Sequence, residues 1–525
     1  MPAIVVAAAV GVLFFLAYRH YSSYLARRVY GTDAAFVTPA HQFSDGIDFV
    51  PTNKHVVFGH HFTSVAGAAP IVGPAIAAFW GWGPALAWIV VGTIFAAGVH
   101  DMGSLAVSVR HGARNIGSIA HDVISKRART LFLLIIFFLL TLVNAVFAVV
   151  IGNLLVANPG AVIPIFVEIP LAIGIGQYIY RSRSAALVPS LVGVVVLYAL
   201  IWVGLQVPIE VTGLADALGV DNPRNVWVVI LFVYAFIASR LPVWVLLQPR
   251  DYINSHQLFI ALGVIVAGIA VGWNTIAAPL VNDVPEGSPS IFPFLFITIA
   301  CGAISGFHSL VASGTIAKQI DNEADVRHVS YLGAVGEGAL AVGALLAVTA
   351  GVAATRADWS ALYPDFDTAS GGAVGNFVNG VGAFANNLGV PLDLAVIFAA
   401  VVVISFAATT MDTGVRLQRY VVQEIAEVLG WQRLARNLTL AGIVAVVVPL
   451  AMALLPGGGE AGYTFGVLWQ LFGTTNQLTA GLALSVIAVW VTRNGRNATA
   501  VLVPLVFLLV MTTWALVINL ITFVQ

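Results

Sequence analysis

Stretches of about 20 apolar residues, each long enough to cross a bilayer as a helix, recur along the whole chain. Only 9% of the 525 residues are charged and 59% are hydrophobic. A surface of this composition cannot face water, which excludes a soluble enzyme. We therefore predict an all-α polytopic membrane protein with about 14 transmembrane helices. Their approximate positions are 3–17, 56–79, 84–107, 130–156, 161–180, 185–206, 226–247, 257–277, 291–317, 330–353, 391–411, 437–456, 465–491 and 499–523.

The charge balance and the cysteine count exclude further classes of protein. The net charge is −1, so there is no basic excess to neutralise a nucleic acid. The single cysteine, Cys301, excludes a disulfide framework within the chain, and no Cys/His spacing resembles a structural zinc site. The absence of a GxxxxGK[ST] loop disfavours ATP-driven transport. We expect no tightly bound cofactor.

The positions of the Lys and Arg residues test the predicted membrane topology, because loops on the cytoplasmic side carry an excess of these residues. With residue 1 outside, 20 of the 23 fall in inside loops, whereas Arg224 and Arg356 fall outside among acids that include Glu460. Arg240 falls within a span. The first span is followed by arginines, the reverse of a cleavable signal peptide. This pattern predicts a multi-pass protein of the plasma (inner) membrane, with both termini outside the cytoplasm.

Two spans contain helix-breaking residues near their centres. The second reads HVVFGHHFTSVAGAAPIVGPAIAAF and the seventh reads VYAFIASRLPVWVLLQPRDY. Transporters use such breaks to aim half-helix ends at a substrate, although packing and kinks alone are the alternative. The two lie five helices apart and run in opposite directions, which favours a five-plus-five inverted repeat. A competing match between Phe62-x-Ser64 and Phe307-x-Ser309, seven helices apart, would indicate seven plus seven.

Ionisable residues inside spans are costly and are therefore functional candidates. Arg240 is predicted to contact an anionic substrate or to pair with a buried carboxylate, for which Glu168, Glu337 and Asp101 are the candidates. Burial raises the pKa of a carboxylate, so Glu168 or Glu337 is a candidate proton carrier. The alternative for both is a hydrogen-bonded contact between helices.

Histidines and hydroxyl residues form two further groups. His60, His61, His100 and His308 are candidates for proton transfer or metal ligation, with plain packing as the alternative. No HExxH motif occurs, which disfavours a zinc protease. In the ninth span Ser309 and Ser313 lie four residues apart, on one face of a helix. They are candidate Na⁺ ligands unless their hydroxyls bond back to carbonyls of their own helix.

Several longer motifs together resemble the carbon starvation protein A (CstA) family, in particular its shorter members. The matching segments, found between about residues 45 and 480, are FVPTNKHVVFGHHFTSVAGAAPIVGP, VHDMGSLAVSVRHG, IASRLPVWVLLQPRDYINS, SGFHSLVASGT, TTMDTGVRLQRYVVQEI and LWQLFGTTNQL. The resemblance implies membership of the amino acid–polyamine–organocation transporter superfamily, with its LeuT-like five-plus-five inverted repeat. It also implies uptake of peptides or of pyruvate during carbon limitation.

Under this resemblance the chain divides into four regions. They are an N-terminal helix and cytoplasmic loop (1–55), a first five-helix repeat (56–206), a second, inverted repeat (207–415) and three additional C-terminal helices (416–525). The broken second and seventh spans become the first and sixth core helices. The ninth span becomes the eighth core helix, where Na⁺-coupled relatives place Ser/Thr ligands. The segment SGGAVGNFVNGVGAFANNLG is expected to form an extracellular lid or a re-entrant segment.

The sequence therefore predicts an ion-coupled secondary transporter that imports a small organic acid such as pyruvate, or short peptides. The partners expected are this small anionic substrate or peptide and the lipid bilayer. The alternatives are an intramembrane metal-dependent enzyme and a nutrient sensor that no longer transports. The expected coupling ion is H⁺ or Na⁺, carried by Glu168, Glu337, Ser309, Ser313 or Asp101. The expected substrate-binding residues are His60, His61, Ser64, Gly67, Ser239, Arg240 and His308.

Overall fold

The computed structural model describes residues 1–46, 48–182, 186–455 and 461–524. Arg183 and Glu460, which enter the charge pattern above, lie outside the described residues. Within these ranges the chain is helical, and pairing between extended segments is limited to two isolated bridges, Pro2 with Thr275 and Thr52 with Ile320.

Seventeen helices carry the architecture and are numbered here in chain order. They are α1 (Ala3–Tyr30), α2 (Lys54–Val65), α3 (Ala69–Trp80), α4 (Trp82–Arg110), α5 (Lys126–Ala157), α6 (Pro159–Ser182), α7 (Leu187–Gln206), α8 (Pro223–Ala238), α9 (Leu247–Gly272), α10 (Ile291–Thr298), α11 (Gly306–Gly314), α12 (Glu323–Gly351), α13 (Phe366–Asn387), α14 (Leu392–Val428), α15 (Leu438–Leu454), α16 (Ala461–Arg493) and α17 (Thr499–Val524). Shorter helices connect them at Pro39–Gln42, Ile116–Val123, Thr212–Leu218, Arg356–Leu362 and Gln432–Arg436.

The apolar helices make this a multi-pass membrane protein. Among the described residues, 10 helices are long and apolar enough to cross a bilayer, and the number rises to 12 if each of two bent helix pairs is one span. One pair is α2 and α3, bent by 46°, and the other is Thr212–Leu218 with α8, bent by 92°. A shorter apolar helix is α15. The long helices α5 and α14 pack extensively against each other within the bundle.

Loops gather at two opposite faces of the helix bundle. At the first, the Met1 face, Ala3 donates its N–H to Asn274 (2.9 Å) and Ala277 donates to Thr349 (2.7 Å). At the second, the Lys318 face, Val50 donates its N–H to the carbonyl of Lys318 (3.3 Å). Helix α13 lies along the Met1 face, because the Asn387 amide near its C-terminus donates to Gly268 and Asn274 (3.1 and 2.9 Å).

The region of the seventh and eighth predicted spans differs from the prediction. Helix α8 ends at Ala238, where a central break was expected, and α9 then runs without interruption from Leu247 to Gly272. Pro242 has no N–H to continue the first helix. The guanidinium of Arg416 donates to the freed carbonyls of Ala238 and Leu241 (3.1 and 2.5 Å), so the helix end is satisfied inside the protein.

The ninth predicted span is broken near its middle, as the second span is. Residues 299–305 separate α10 from α11, and all of them are buried. The first span is also longer than predicted, since α1 continues to Tyr30 through two π-helical stretches. The second span is broken as expected, between Val65 and Ala69.

Candidate functional site

The two broken spans face each other in the interior of the bundle. At Gly73 of α3, a Cβ atom would lie 2.5 Å from the carbonyl oxygen of Thr298 at the end of α10. Gly302, inside the second break, has a φ of +89°, and a Cβ atom there would lie 3.5 Å from the Cα of Pro70. Glycine is thus required where the chain turns and where the two spans meet. The two breaks therefore lie side by side inside the bundle.

A cluster of histidines and carboxylates surrounds Asp101 of α4 beside these breaks. One carboxylate oxygen of Asp101 lies 2.9 Å from Nδ1 of His100, and the other lies 2.8 Å from Nδ1 of His308. The second ring nitrogen of His308 lies 3.2 Å from the carboxylate of Glu337. Nε2 of His61 lies 4.0 Å from Asp101. Side-chain exposure is at most 1% in every one of these ion pairs, so the cluster is sealed from solvent.

A second group connects α2 to α9 through Asp251. Nδ1 of His60 lies 2.5 Å from the Asp251 carboxylate, and the Ser64 hydroxyl donates to the same oxygen at 3.3 Å. The hydroxyl of Thr63 donates to the main-chain carbonyl of Asp251 at 3.0 Å. Three side chains within about one helical turn therefore fasten the half-helix α2 to α9, just before the break in the second span.

A third group is centred on Arg250, the neighbour of Asp251. Its guanidinium donates to Glu168 of α6 at 3.1 Å and to Asp412 of α14 at 2.7 Å. The Tyr234 hydroxyl accepts a hydrogen bond from Arg250 and donates one to Asp412, each 2.7 Å long. Ser405 donates to the remaining oxygen of Glu168 at 3.0 Å. Charges buried this deeply are tolerated only when paired in this way.

The three groups contain more buried acid than permanent positive charge. Five carboxylates, those of Asp101, Glu168, Asp251, Glu337 and Asp412, are at most 1% exposed. The fixed positive charge within these groups is one guanidinium. Since an uncompensated buried charge is very costly, the balance requires protons on the carboxylates or on the histidines, or a bound cation. The cluster is therefore chemically suited to gain and lose protons.

Several polar atoms in this region have no partner among the described residues. They include the second ring nitrogens of His60 and His100, both ring nitrogens of His61, and one carboxylate oxygen each of Asp251 and Asp412. The 3.2 Å approach of His308 Nε2 to Glu337 is an ion-pair distance without hydrogen-bond geometry. The side-chain amides of Asn254 and Gln257 on α9 are also without partners, although both residues are 0% exposed. Buried polar groups ordinarily have hydrogen-bond partners. These atoms are free to bind protons, water or a substrate.

The described part of the chain contains no group of three or more His, Cys, Asp and Glu placed to hold a metal ion. The ring nitrogens nearest to Asp101 are instead directed at its carboxylate. Their geometry is that of hydrogen-bonded acid–imidazole pairs.

Most of the predicted substrate-site residues lie at the meeting point of the breaks. His60, His61, Ser64 and His308 are all in the clusters described above. Gly67 lies within the first break, where a Cβ atom would meet the Thr410 hydroxyl at 2.5 Å. Thr410 itself donates to the carbonyl of Ser64 at 3.3 Å, which ties α14 to the break.

Ser239 and Arg240 are not part of this site. Arg240 lies in the exposed turn after α8, with its guanidinium 5.6 Å from the centre of the Phe236 ring. The Ser239 hydroxyl donates to the carbonyl of Phe236 at 2.8 Å. The placement of Arg240 within a span, next to Glu168, Glu337 or Asp101, is therefore wrong. The arginine that pairs with Glu168 is Arg250.

The two candidate Na⁺ ligands on α11 donate to their own helix. The Ser309 hydroxyl donates to the carbonyl of Gly306 at 2.7 Å, and the Ser313 hydroxyl donates to the carbonyl of Ser309 at 2.5 Å. Ser313 also accepts a hydrogen bond from the N–H of Ile116 at 2.9 Å. This is the alternative that the sequence left open for both residues.

The sequence analysis missed Arg250, Asp251 and Asp412 as site residues. Arg250 and Asp251 belong to the polar segment QPRDYINS, which follows the predicted span 226–247 and precedes the span 257–277, whereas α9 already begins at Leu247. Asp412 follows the predicted end of a span at 411, but α14 continues to Val428. Polar residues flank these positions, in QPRDYINS and in TTMDTG, so no local signal marks them as buried site residues.

Two cavities lie at opposite faces of the bundle, and residues of the three groups line neither of them. One of about 530 Å³ lies at the Lys318 face and is lined by charged residues, including Arg114 and Glu424, and by Leu310 and Gly314 of α11. The other, of about 380 Å³, lies at the Met1 face between α5 and α13. Its lining includes the amides of Asn153, Asn158 and Asn379.

Comparison with known proteins identifies the relatives of this chain. It is 33% identical to the peptide transporter CstA of Campylobacter jejuni, over 96% of this chain and 78% of that protein. It is 30% identical to the pyruvate/proton symporter BtsT of Escherichia coli, over 98% of this chain and 81% of that protein. These relatives are transporters. This protein is likewise a transporter and not an enzyme.

The fold has a counterpart among solved transporters. A crystal structure of MhsT in complex with L-phenylalanine matches with a TM-score of 0.52 and 10% sequence identity, covering 88% of this chain and 99% of that one. This likeness shows the fold, which is that of the LeuT-like transporters. The sequence profile of the family described as carbon starvation protein CstA matches residues 2–361 and 361–515. The chain thus belongs to the CstA family of membrane transporters.

Proposed function

We propose that this protein is a proton-coupled secondary transporter that imports small carboxylates such as pyruvate, or short peptides. The observation that carries the proposal is the sealed cluster of Asp101, His308 and Glu337 where the two broken helices meet. An acid–imidazole–acid series contains groups that can bind and release protons, and its charge changes with each proton. The broken helices supply backbone groups for the substrate.

Proton coupling is favoured over Na⁺ coupling by the chemistry of the side chains. Within the three groups five carboxylates face one guanidinium, and protons on the carboxylates or histidines would bring the site close to neutrality. The hydroxyls of Ser309 and Ser313 are already used within α11. The name of one relative, pyruvate/proton symporter, agrees with this assignment.

Arg250 is our candidate for the group that recognises a substrate carboxylate. Its guanidinium is held by Glu168 and Asp412, whose protonation would release it for an incoming anion. Proton binding and substrate binding would then favour each other, which is the requirement for symport. Asn254 and Gln257 follow Arg250 by four and seven residues and share its face of α9. Their unpartnered amides suit the amide bond of a peptide.

We propose an inverted repeat whose members differ from those expected from the sequence. The first repeat comprises α2–α3, α4, α5, α8 and α9, with the hairpin α6–α7 inserted. The second comprises α10–α11, α12, α14, α15 and α16, with α13 as a lid. Equivalent contacts support this pairing: α9 packs against the half-helix α2 and α16 against the half-helix α11, while α8 packs against α5 and α15 against α14.

This arrangement gives 14 crossings if α10–α11 and α15 are counted with the spans already described. We propose the plasma membrane as the location, with the Lys318 face in the cytoplasm. Arg110, Lys318 and Arg327 cluster there, in keeping with the excess of Lys and Arg in cytoplasmic loops. Both termini would then lie outside, and the cavity of about 530 Å³ would be the inner vestibule.

Uptake into proteoliposomes tests the proposal. Labelled pyruvate and a labelled dipeptide are offered separately, each with an imposed H⁺ gradient or an imposed Na⁺ gradient. We expect accumulation of at least one substrate under the H⁺ gradient alone, abolished by a protonophore. Accumulation that requires Na⁺ would contradict proton coupling. Absence of uptake of both, with folded and inserted protein, would contradict the substrate assignment.

A further inference from the structure

Helix α16 runs past both halves of the broken helix α10–α11 and binds the ends of each. At the end of α10, the indole N–H of Trp469 donates to the carbonyl of Thr298 at 3.3 Å. The side-chain amide of Gln477 donates to the carbonyl of Phe296 at 2.5 Å. Carbonyls in the last turn of a helix have no partner within it, and in a membrane they must find one elsewhere. Side chains of α16 supply these partners.

Asn476 of α16 binds the beginning of α11 in the same way. Its carbonyl oxygen accepts the N–H of Phe307 at 3.0 Å and the hydroxyl of Ser305 at 3.2 Å. Its NH₂ group donates to the Ser305 hydroxyl at 3.1 Å and to the Cys301 sulfur at 3.3 Å. Asn476 is 0% exposed. One side chain thus bridges residues on both sides of Gly302, where the chain turns.

The first residue of α11 is pressed directly onto the backbone of α16. A Cβ atom at Gly306 would lie 2.3 Å from the carbonyl oxygen of Asn476 and 2.6 Å from the nitrogen of Ala480. This approach leaves α11 no freedom to shift along α16 while the contacts persist. His308, which bonds Asp101, lies two residues after Gly306. The position of its ring therefore depends on how α11 begins.

We propose that Trp469, Asn476 and Gln477 form a clamp that holds the break in α10–α11, and that Asn476 is a positioning residue for His308. Asn476 acts through the main chain of α11, since its contacts are to residues 301–307. The functional part of this inference rests on the proposed proton-coupled transport. The structural part, that Asn476 holds the break closed around Cys301, does not depend on the proposed transport.

Cys301 is the only cysteine in the sequence, and it lies within the break, 5% exposed. Its modification by N-ethylmaleimide, measured by mass spectrometry on the full-length protein in proteoliposomes, therefore reports how often the break opens. We expect Asn476→Leu, which keeps the size but removes every hydrogen bond, to speed labelling by about tenfold or more. Thr474→Val is the matched control, because this buried hydroxyl donates only to the Gln470 carbonyl of its own helix. Cys301→Ser sets the background.

Transport provides the second readout. If Asn476 positions His308, Asn476→Leu shifts the pH at which uptake is half-maximal, whereas Thr474→Val leaves it unchanged. Asn476→Asp, which keeps the acceptor for Phe307 but loses the amide donors, serves if the leucine variant does not fold. We expect it to speed labelling with a smaller shift in pH dependence.

The outcomes separate this inference from the proposed function. Faster labelling in a protein that transports neither pyruvate nor a dipeptide would support the clamp and contradict the transport assignment. Unchanged labelling and an unchanged pH profile in Asn476 variants that transport would overturn the clamp. Faster labelling without any shift in the pH profile would overturn the positioning role of Asn476.

Discussion

Arg250 and Asp251 are adjacent on α9, yet they bind helices on different sides of it. The guanidinium of Arg250 lies 2.7 Å from Asp412 of α14, and the carboxylate of Asp251 lies 2.5 Å from His60 of α2. Consecutive helical residues point about 100° apart, so one helix turn serves both partners. Arg250 and Asp251 therefore connect α14 and the half-helix α2 to the same turn of α9.

Replacement of Arg250 tests its place in the site. Arg250→Gln leaves Glu168 and Asp412 buried without their cation, a loss that costs about 3–5 kcal/mol of folding free energy in buried ion pairs. We expect a lower melting temperature in detergent and no accumulation of substrate. Melting curves and uptake at equal protein content measure the two effects.

Arg240→Gln is the matched control, since Arg240 is exposed and lies over Phe236. We expect it to keep both stability and uptake. Loss of uptake in Arg240→Gln, with Arg250→Gln fully active, would return the substrate-binding role to Arg240.

Glu337 lies at the end of the acid–imidazole series, so its charge is open to a simple test. Glu337→Gln has the shape of the protonated acid, and its partner His308 stays 3.2 Å away. We expect gradient-driven accumulation to be lost while exchange of labelled for unlabelled substrate continues, because only the proton step is blocked. Counterflow and uptake assays on the same proteoliposomes separate the two. Retained accumulation would remove Glu337 from the coupling path.

Much of the fold could be predicted because apolarity and charge placement are local properties of the sequence. The long spans, the break after Val65 and the polar residues beside it follow from composition and from Gly and Pro. The pairing of breaks could not be predicted in the same way. Pro242 lacks the N–H that would continue α8, and the distant Arg416 donates to the freed carbonyls at the helix end. No local feature of the sequence indicates that partner.

Arg250 illustrates the same limit of local patterns. A charged residue beside an acid and a proline is typical of a loop, and the segment QPRDYINS lies between two predicted spans. The partners that make its burial possible, Glu168 and Asp412, are 82 and 162 residues away. Histidines inside apolar spans, by contrast, signal their importance without knowledge of partners. For this reason His60, His61 and His308 are candidates from the sequence, whereas Arg250 is not.

The turn at Gly302 is expected to tolerate no side chain. Its φ of +89° disfavours other residues by about 1–2 kcal/mol, and an added Cβ would lie 2.7 Å from that of Ala341. Gly219 has a similar φ of +66° but open space around it. We expect Gly302→Ala to lower the melting temperature more than Gly219→Ala and to reduce uptake. Equal effects of the two substitutions would mean that the contact with Ala341 is readily relieved.

Removing the hydroxyls of α11 distinguishes the two coupling ions. Because Ser309 and Ser313 donate to carbonyls of their own helix, their double replacement by alanine removes no proton-carrying group. We expect proton-driven uptake to persist, with stability reduced by about 1 kcal/mol for each lost hydrogen bond. Uptake as a function of Na⁺ at constant pH is the measurement. A Na⁺ requirement in the native protein that disappears in the double variant would establish these serines as ligands.

The two unpartnered amides on α9 test which substrate class the site prefers. Gln257→Leu replaces a buried amide by an apolar side chain of similar size and leaves Arg250, two turns earlier, untouched. If the amide binds a peptide bond, the KM for a dipeptide rises by about tenfold, the equivalent of one buried hydrogen bond, while the KM for pyruvate is unchanged. Asn254→Leu should have the same direction of effect. Equal losses for both substrates would assign the amides to the common carboxylate end, and no loss for either would mean that water, not substrate, occupies this face of α9.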